Sequence, residues 1–335
     1  MKKFLSITLC LVLVLSMVFA MAGCAKEQEK ELTTIRVIYH PTIGGSTAIS
    51  TAVELGYFEE EGLDVRLQMF TSGPPEIAAM VAGQAEFGFI GSGAAWLAFS
   101  GQVNIIALDN LALTEEIIVR KDSGIKSVKD LKGKTIAVQE GAAGYTLLSV
   151  ALQANGMSVN DVKIMNISND NIPATFADTS IDCWAAWKPS STSLKASLGD
   201  NALVIGTNSD YPAYAFPSTW VANKDYVKEH PDVTQKFVNA LTKAQVWRAE
   251  NPNEACAYAS VKAGQATNDL TSQLPDLVMP TLEQYDNFYN TTAFEEMLTN
   301  LKAVQSAKVT GSYTIKDIYI DTFAKAAIEN LKKAK

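Results

Sequence analysis

Two stretches of this chain, about 100 residues apart, repeat one order of elements, and that repeat restricts the folds open to it. Ile35-Arg36-Val37-Ile38-Tyr39 reads as a strand, followed by Gly44-Gly45-Ser46 and a helix from Thr47 to Leu55. Thr135-Ile136-Ala137-Val138-Gln139 reads as another strand, followed by Gly141-Ala142-Ala143-Gly144 and a helix from Tyr145 to Ala154. The partners continue in step. Gly62-Leu63-Asp64-Val65 leads into a strand from Arg66 to Phe70, and Asn160-Asp161-Val162 into one from Lys163 to Ile167. Glu86 precedes Phe87 to Ile90, and Asp182 precedes Cys183 to Trp187. Alternating strands and helices imply mostly parallel sheets flanked by helices on both faces. Ligands of such sheets bind beyond the carboxyl ends of the strands. The expected architecture is α/β with two lobes facing one another across a cleft.

The corners at those strand ends carry the chemistry. After Phe87 to Ile90 come Gly91-Ser92-Gly93, with a helix opening at Ala94. Glycine lets another group approach the backbone closely. The first N–H groups of a helix lack internal partners, and the helix dipole favours negative charge there. Such a corner accepts an anion without a basic side chain. A single one is most simply an ordinary tight turn. The chain builds it at Gly44–Ser46, at Gly91–Ala94 and at Gly141–Gly144, so the three are expected to converge on one anionic group.

The N-terminus addresses the chain. Lys2 and Lys3 precede an apolar run from Phe4 to Ala20, and Met21-Ala22-Gly23-Cys24 follows. This is the pattern of a secretory signal rather than of an uncleaved anchor, with Cys24 placed as in a bacterial lipoprotein box. Residues 1–23 are expected as signal peptide, Cys24 as the lipidated residue, and 24–32 as a charged flexible tether. The whole chain has 28 Lys+Arg against 36 Asp+Glu, a formal net charge of −8. Cleavage removes Lys2 and Lys3 and leaves the remainder more acidic still, which argues against a nucleic-acid partner. Cys183 and Cys256 remain, far apart in sequence; two free buried thiols are expected, although export permits a disulfide.

The first lobe is expected over 33–113 plus 220–335 and the second over 114–219, with links at Leu108 to Ile117 and Tyr214 to Val221. The remainder is helical. Pro231 opens a helix whose apolar face is Val233, Phe237, Leu241 and Ala244. Phe294, Leu298, Leu301 and Val304 form another face. Thr314-Ile315-Lys316-Asp317 is a capping box, expected to open a last helix carrying Ile318, Phe323, Ala327 and Leu331.

Four segments together resemble one family. Glu54-Leu55-Gly56-Tyr57-Phe58-Glu59-Glu60-Glu61-Gly62-Leu63-Asp64-Val65 resembles its A-x-x-x-G-(Y/F)-F-x-x-x-G-(L/I)-x-V segment. Ala82-Gly83-Gln84-Ala85-Glu86-Phe87-Gly88 resembles A-G-x-x-D-(F/I)-G, and Asp130-Leu131-Lys132-Gly133-Lys134 resembles DLKGK. Ile181-Asp182 with Trp187-Lys188-Pro189 resembles (I/V)-D-(A/G)-x-x-x-W-x-P. From Cys24 to Lys335 the chain resembles ABC-transporter substrate-binding lipoproteins of the nitrate/sulfonate/taurine type. The resemblance implies a type II periplasmic-binding-protein-like fold and an extracytoplasmic, lipid-anchored receptor. It implies a monomer without cofactor that hands a small-molecule ligand to a permease and, through it, to ATPase subunits.

Other chemistries fail on residues. Gly133-Lys134-Thr135 lacks the earlier glycine of a phosphate loop, because Val128 stands there. No G-x-S-x-G elbow surrounds Ser46 or Ser92. Only His40 and His230 are present, so no histidine–cysteine metal cluster can be assembled. Relatives of this fold that synthesise the thiamine pyrimidine carry a cysteine cluster with histidine, which is missing here. An enzyme is not expected.

The candidate ligand contacts are therefore the corners: His40, Thr42 and Ser46; Ser92, Gly93 and Ala94; Gln139, Gly141, Ala142 and Tyr145. Trp187 at a strand end, and Phe216, Ser218, Thr219 and Trp220 at the second crossing, complete the set. Trp184 and Trp187 lie an odd number of residues apart and face opposite ways on a strand, one for core and one for cleft. Backbone donors and hydroxyls suit an oxyanion such as a sulfonate, and aromatic rings suit a flat or apolar tail. Taurine also carries an ammonium, which needs a carboxylate when buried. Phe216-Pro217-Ser218-Thr219 offers none, although Asp210 is near in sequence, so an aliphatic or aromatic sulfonate larger than taurine, or a heteroaromatic molecule, fits better. The alternative is a thiamine-type pyrimidine or another flat heterocycle.

Overall fold

The computed structural model describes residues 31–334 apart from residue 213. Cys24 and the N-terminal targeting segment lie outside the described residues.

Two sheets organise the chain. The first contains β1 (Thr33–Tyr39), β2 (Leu63–Met69), β3 (Phe87–Ile90) and β4 (Val103–Ala112). The second contains β5 (Glu115–Arg120), β6 (Thr135–Val138), β7 (Lys163–Asn166), β8 (Cys183–Trp187) and β9 (Ala202–Thr207). The chain then returns to the first sheet as β10 (Pro217–Asn223), and later adds β11 (Leu277–Val278). The orders are β11-β4-β10-β3-β1-β2 and β7-β6-β8-β5-β9. In both, a parallel trio is followed by one antiparallel strand that has just crossed between sheets: β10 beside β3, and β5 beside β8. This is the duplicated α/β plan expected from the sequence.

The helix starts fall earlier than their glycines suggested. The first helix is Ile43–Glu54, so Gly44, Gly45 and Ser46 form its opening turn instead of preceding it. Thr42 makes this start, its hydroxyl accepting from the Gly45 N–H at 3.1 Å. In the second repeat the helix is Ala143–Ala154. After β3 a short 3₁₀ turn, Ser92–Ala94, precedes the helix Ala95–Phe99.

Periodic apolar residues supply the cores. Val233, Phe237, Leu241 and Ala244 on the helix Pro231–Glu250 are buried against the first sheet. Phe237 stacks on Phe87 with centroids 4.1 Å apart and on Phe58 at 5.7 Å. Each such ring contributes about 1.5–3 kcal/mol by burial. The second lobe packs Ile117, Val119, Ile136, Val138, Leu147, Leu148 and Cys183 into its own cluster. Cys183 and Cys256 are both free and buried.

The capping box forms as expected but closes a shorter element. Asp317 accepts from the Thr314 N–H and hydroxyl, yet the helix is only Ile315–Ile318. Tyr319 then leaves the helix to bridge Ile105 on β4, and the last helix, Thr322–Ala334, starts separately. No described helix is long and apolar enough to cross a membrane.

Candidate ligand-binding cleft

A cavity of about 580 Å³, counted to its open mouth, lies at the carboxyl ends of the parallel strands. The first sheet side contributes His40, Thr42, Gly44, Phe89, Gly93, Ala94, Asn110 and Ser218, and the second contributes Glu115, Ala142, Ala143, Trp187 and Lys188. Gln273 and Leu277 close one edge. All three glycine-bearing corners thus line one space. Its walls combine backbone donors, the aromatic rings of Phe89 and Trp187 and a small number of polar side chains, the usual composition of a small-molecule site.

The walls touch beside this space. A Cβ on Gly93 would stand 2.0 Å from the Ala142 carbonyl carbon and the Ala143 nitrogen, so only glycine permits this approach. Trp96 Nε1 donates to the Gly141 carbonyl at 3.1 Å. Gln305 Nε2 donates to the Ser92 carbonyl at 2.9 Å, the Gly93 carbonyl at 3.2 Å and Thr146 Oγ1 at 3.0 Å, which joins the two sides. Lys308 pairs with Glu140 at 3.5 Å and sits over the Tyr145 ring. Behind this contact is a second cavity of about 850 Å³, lined by Trp96, Gly141, Tyr145, Thr146, Met157, Gln305 and Lys308.

Charge in the main cleft is confined to a few groups. His40 Nε2 meets Glu76 Oε2 at 2.7 Å, with the carboxyl fully buried. Burial pushes the Glu76 carboxyl up to about 7, against the opposing pull of His40. Gly88 makes room for this acid, because a Cβ there would lie 2.2 Å from Glu76 Oε1. Lys188 pairs with Asp276 at 2.5 Å across the cleft edge. Glu115 is 3% exposed, and burial pushes its carboxyl up to about 7 as well. Under the floor, Asp109 accepts from Arg248 Nη2 at 2.7 Å, Trp220 Nε1 at 2.6 Å and Gln245 Nε2 at 3.0 Å. No group of three or more His, Cys, Asp and Glu side chains among the described residues is placed to hold a metal ion.

Of the residues chosen from sequence, His40, Thr42, Gly93, Ala94, Ala142, Trp187 and Ser218 line the cleft. Gly141 and Tyr145 line the second cavity instead, because φ +72° at Gly141 turns the chain behind the corner. Ser46 spends its hydroxyl on the Thr42 carbonyl at 2.7 Å, inside the helix. Gln139 turns back to accept from the Asn169 N–H at 2.9 Å. Ser92 and Thr219 are buried away from the lining, Phe216 joins the second lobe's core, and Trp220 is a core residue tied to Asp109. Trp184 is fully buried and donates to Thr175 Oγ1 at 2.8 Å, whereas Trp187 faces the cleft.

The sequence reading missed Asn110, Thr114, Glu115, Lys188 and Gln273. It also sought an acid only at the second crossing and found none there. The cleft does hold one: Glu115 enters at the first crossing, on β5 opposite Trp187. The presence of two adjacent acids in Thr114-Glu115-Glu116-Ile117-Ile118, leading a run of apolar strand residues, was the available signal.

Comparisons with known proteins agree on this architecture. A family profile described as NMT1/THI5 like matches residues 45–255. The chain is 33% identical over 222 residues to a putative binding protein of Brucella abortus, covering 66% of this chain and 69% of that one. It is 30% identical over 343 residues to a putative aliphatic sulfonates-binding protein of Bacillus subtilis, covering 95% of this chain and 96% of the relative. Among solved structures, the alkanesulfonate-binding protein SsuA of Xanthomonas axonopodis pv. citri bound to MOPS superposes with TM-score 0.65 at 17% identity, over 87% of this chain and 99% of that one. The desulfurization enzyme DSZB superposes with the same TM-score, 0.65, at 15% identity, over 89% and 99%, so the fold alone does not decide between binding and catalysis. By the profile match and by the full-length Bacillus relative, the chain belongs to the NMT1/THI5-like family and has the periplasmic binding-protein fold.

Proposed function

We propose that this protein is the extracytoplasmic solute-binding component of an ABC importer, and that it captures a small organic anion, an aliphatic or aromatic sulfonate, by closing its lobes. The observation that carries this reading is the single cleft into which three backbone corners from both lobes open, at Gly44, Gly93–Ala94 and Ala142–Ala143. The names of the relatives support it: the full-length Bacillus relative is named for aliphatic sulfonates, and SsuA for alkanesulfonates. The protein binds and does not convert its ligand; it acts as a monomer, and delivers to a permease. Cys24 carries the lipid that holds it at the outer side of the cell membrane. A second reading, a thiamine-type pyrimidine or other flat heterocycle, draws on Trp187 and Phe89 in the lining.

A thermal-shift and calorimetric screen of alkanesulfonates, taurine, nitrate, carboxylates and pyrimidines tests the ligand. Saturation at a hundred times Kd adds about 2.7 kcal/mol of stability. The sulfonate reading falls if no sulfonate raises the unfolding midpoint. The anchor is tested by intact mass: Cys24→Ala should shed the lipid, and a mature N-terminus elsewhere would refute it.

A further inference from the structure

Capture of a sulfonate leaves the second cavity without a role. It measures about 850 Å³ to its mouth, against about 580 Å³ for the ligand cleft, and the two spaces share only Gly93 among their lining residues. Volumes of this order are those of small-molecule sites.

Both lobes wall this cavity. The helix Ala143–Ala154 of the second lobe contributes Tyr145, Thr146 and Ser149, with Met157 beyond its end. The first lobe contributes Trp96 and, at the end of the helix Ala293–Val304, Val304. Trp96, Tyr145, Met157 and Val304 are half-buried, which leaves part of their apolar surface for an occupant to cover. Trp96 spends its only polar atom on the Gly141 carbonyl, so what it offers is its ring.

One buried polar atom of the lining has no partner. Gln305 is 7% exposed, and its Oε1 meets no donor of the protein. The orientation of this amide is forced. Nε2 lies 2.9 Å from the Ser92 carbonyl and 3.2 Å from the Gly93 carbonyl, and both can only accept, so exchanging O and N would set oxygen against oxygen. Thr146 Oγ1 accepts the third contact at 3.0 Å and turns its own hydrogen to the Ala142 carbonyl. A buried acceptor left unpaired is costly, and an occupant with an N–H or O–H would relieve it. The charge of the lining is already balanced. Lys308 is its one charged side chain, and Glu140 pairs with it at 3.5 Å. A charged occupant would find no free counter-charge here, the opposite of the anion-favouring corners in the ligand cleft.

We infer that this cavity is a second ligand site, which takes a neutral, flat aromatic molecule with an N–H or O–H donor. Its ring lies against Trp96, Tyr145 and Met157, and its donor meets Gln305 Oε1. Because the walls belong to both lobes, the occupant touches both at once.

The test is calorimetry with three probes: indole; benzofuran, in which an oxygen replaces the N–H; and indole-3-carboxylate, which adds a negative charge. Indole should bind the wild-type protein with Kd on the order of 0.1 mM. Benzofuran should bind about fivefold more weakly, the size of one neutral hydrogen bond, and indole-3-carboxylate more weakly than indole. Gln305→Met removes the acceptor, and indole and benzofuran should then bind alike. Ser149→Trp and Ala307→Trp fill the space from opposite lobes, and neither residue lines the ligand cleft. Each should abolish indole binding in a protein whose circular dichroism and unfolding midpoint match the parent's. Indole binding untouched by both fillings would place the ring in the ligand cleft and overturn the second site. Loss in only one of them overturns an occupant that touches both lobes. Equal binding of indole and benzofuran to the wild-type protein overturns the part given to Gln305, and tighter binding of the carboxylate overturns the neutral class. No binding by any of the three removes the site and leaves the sulfonate reading standing, since that reading rests on the other cavity.

Discussion

Beneath the cleft, the first sheet buries an ion pair, whereas the second sheet, built on the same order of strands, buries neutral amides in the corresponding layer. In the first lobe Asp109 and Arg248 are both fully buried, and Arg248 Nη1 also reaches Thr47 Oγ1 at 3.1 Å. Gln245 donates to the Leu108 carbonyl, Tyr289 Oη accepts from the Leu108 N–H, and Tyr285 donates to the Asp109 carbonyl. The helices Pro231–Glu250 and Leu282–Asn290 are thereby fastened to β4 just before the chain crosses. In the second lobe, Asn169 and the backbone of Trp187 exchange two bonds, and Asn208 Oδ1 accepts from the Glu115 N–H at 2.9 Å. Duplication supplies the frame of both lobes. The difference lies in what each must hold: the first has a long C-terminal tail to attach, and the second has only its own strand ends to place.

The largest test of this contrast is to break each device. Asp109→Ala leaves Arg248 buried and uncompensated, and should cost about 3–5 kcal/mol of unfolding free energy. Asn169→Ala in the second lobe removes neutral bonds and should cost about 1–2 kcal/mol. Urea denaturation of both variants checks the ranking. Equal losses would mean that the first lobe's pair does no more than an amide.

Next comes Glu115, the acid that the second lobe brings to the cleft. Its carboxyl is raised from an ordinary 4.5 to about 7 by burial, so the ligand-free folded chain holds that proton more tightly than the unfolded chain. Stability from this group is complete below pH 4.5 and is lost as pH rises to about 7. Glu115→Gln escapes that loss. The variant should match the parent near pH 4.5 and exceed it by up to about 3 kcal/mol above pH 7, at 1.36 kcal/mol per unit. Unfolding midpoints of ligand-free protein across that range decide it; a constant difference would show that the carboxyl is not desolvated.

Much of the frame was legible because it is written in periodicity. Phe87 to Ile90 and Cys183 to Trp187 are strands by local composition, and burial of Val233, Phe237, Leu241 and Ala244 follows from helical spacing. The site was legible only where backbone defines it, at Gly93, Ala94 and Ala142. Ser46 and Gln139 were misjudged because side-chain direction depends on hydrogen-bond competition within the fold, with the Thr42 carbonyl and the Asn169 N–H. Asn110 and Gln273 were missed because no pattern of residue types marks an amide whose donor is consumed by the adjacent Asp109 carboxylate, or by Gln265 and Asp269 eight and four residues away. Arg248 sits on a helix whose sequence spacing gives no hint of a buried partner on β4.

Contact between lobes yields two further tests of their pairing. Gly93→Val places carbon atoms against the backbone of Ala142 and Ala143, and the atoms nearest to that Cβ all belong to the second lobe. Each lobe should fold unchanged while closure is blocked. Ligand affinity should drop by about a hundredfold, and small-angle scattering should report no contraction on adding ligand. Contraction equal to the parent's would show that closure does not bring these corners together.

The smallest effect is expected at Gln305, which follows the helix Ala293–Val304 of the first lobe's tail and donates to carbonyls of Ser92 and Gly93 and to Thr146 Oγ1 on the second lobe. One amide thus spans both sides of the closed contact without lining the ligand cleft. Gln305→Ala removes the span and leaves every cleft residue in place. The net worth of such neutral bonds is about 1 kcal/mol, so closure should weaken and affinity fall about fivefold. Because no ligand contact is lost, the fall should be the same for every ligand the cleft accepts. Comparing two ligands of different strength on this variant separates the cases. A loss confined to one of them would place Gln305 in recognition, and no loss at all would show that the lobes close without it.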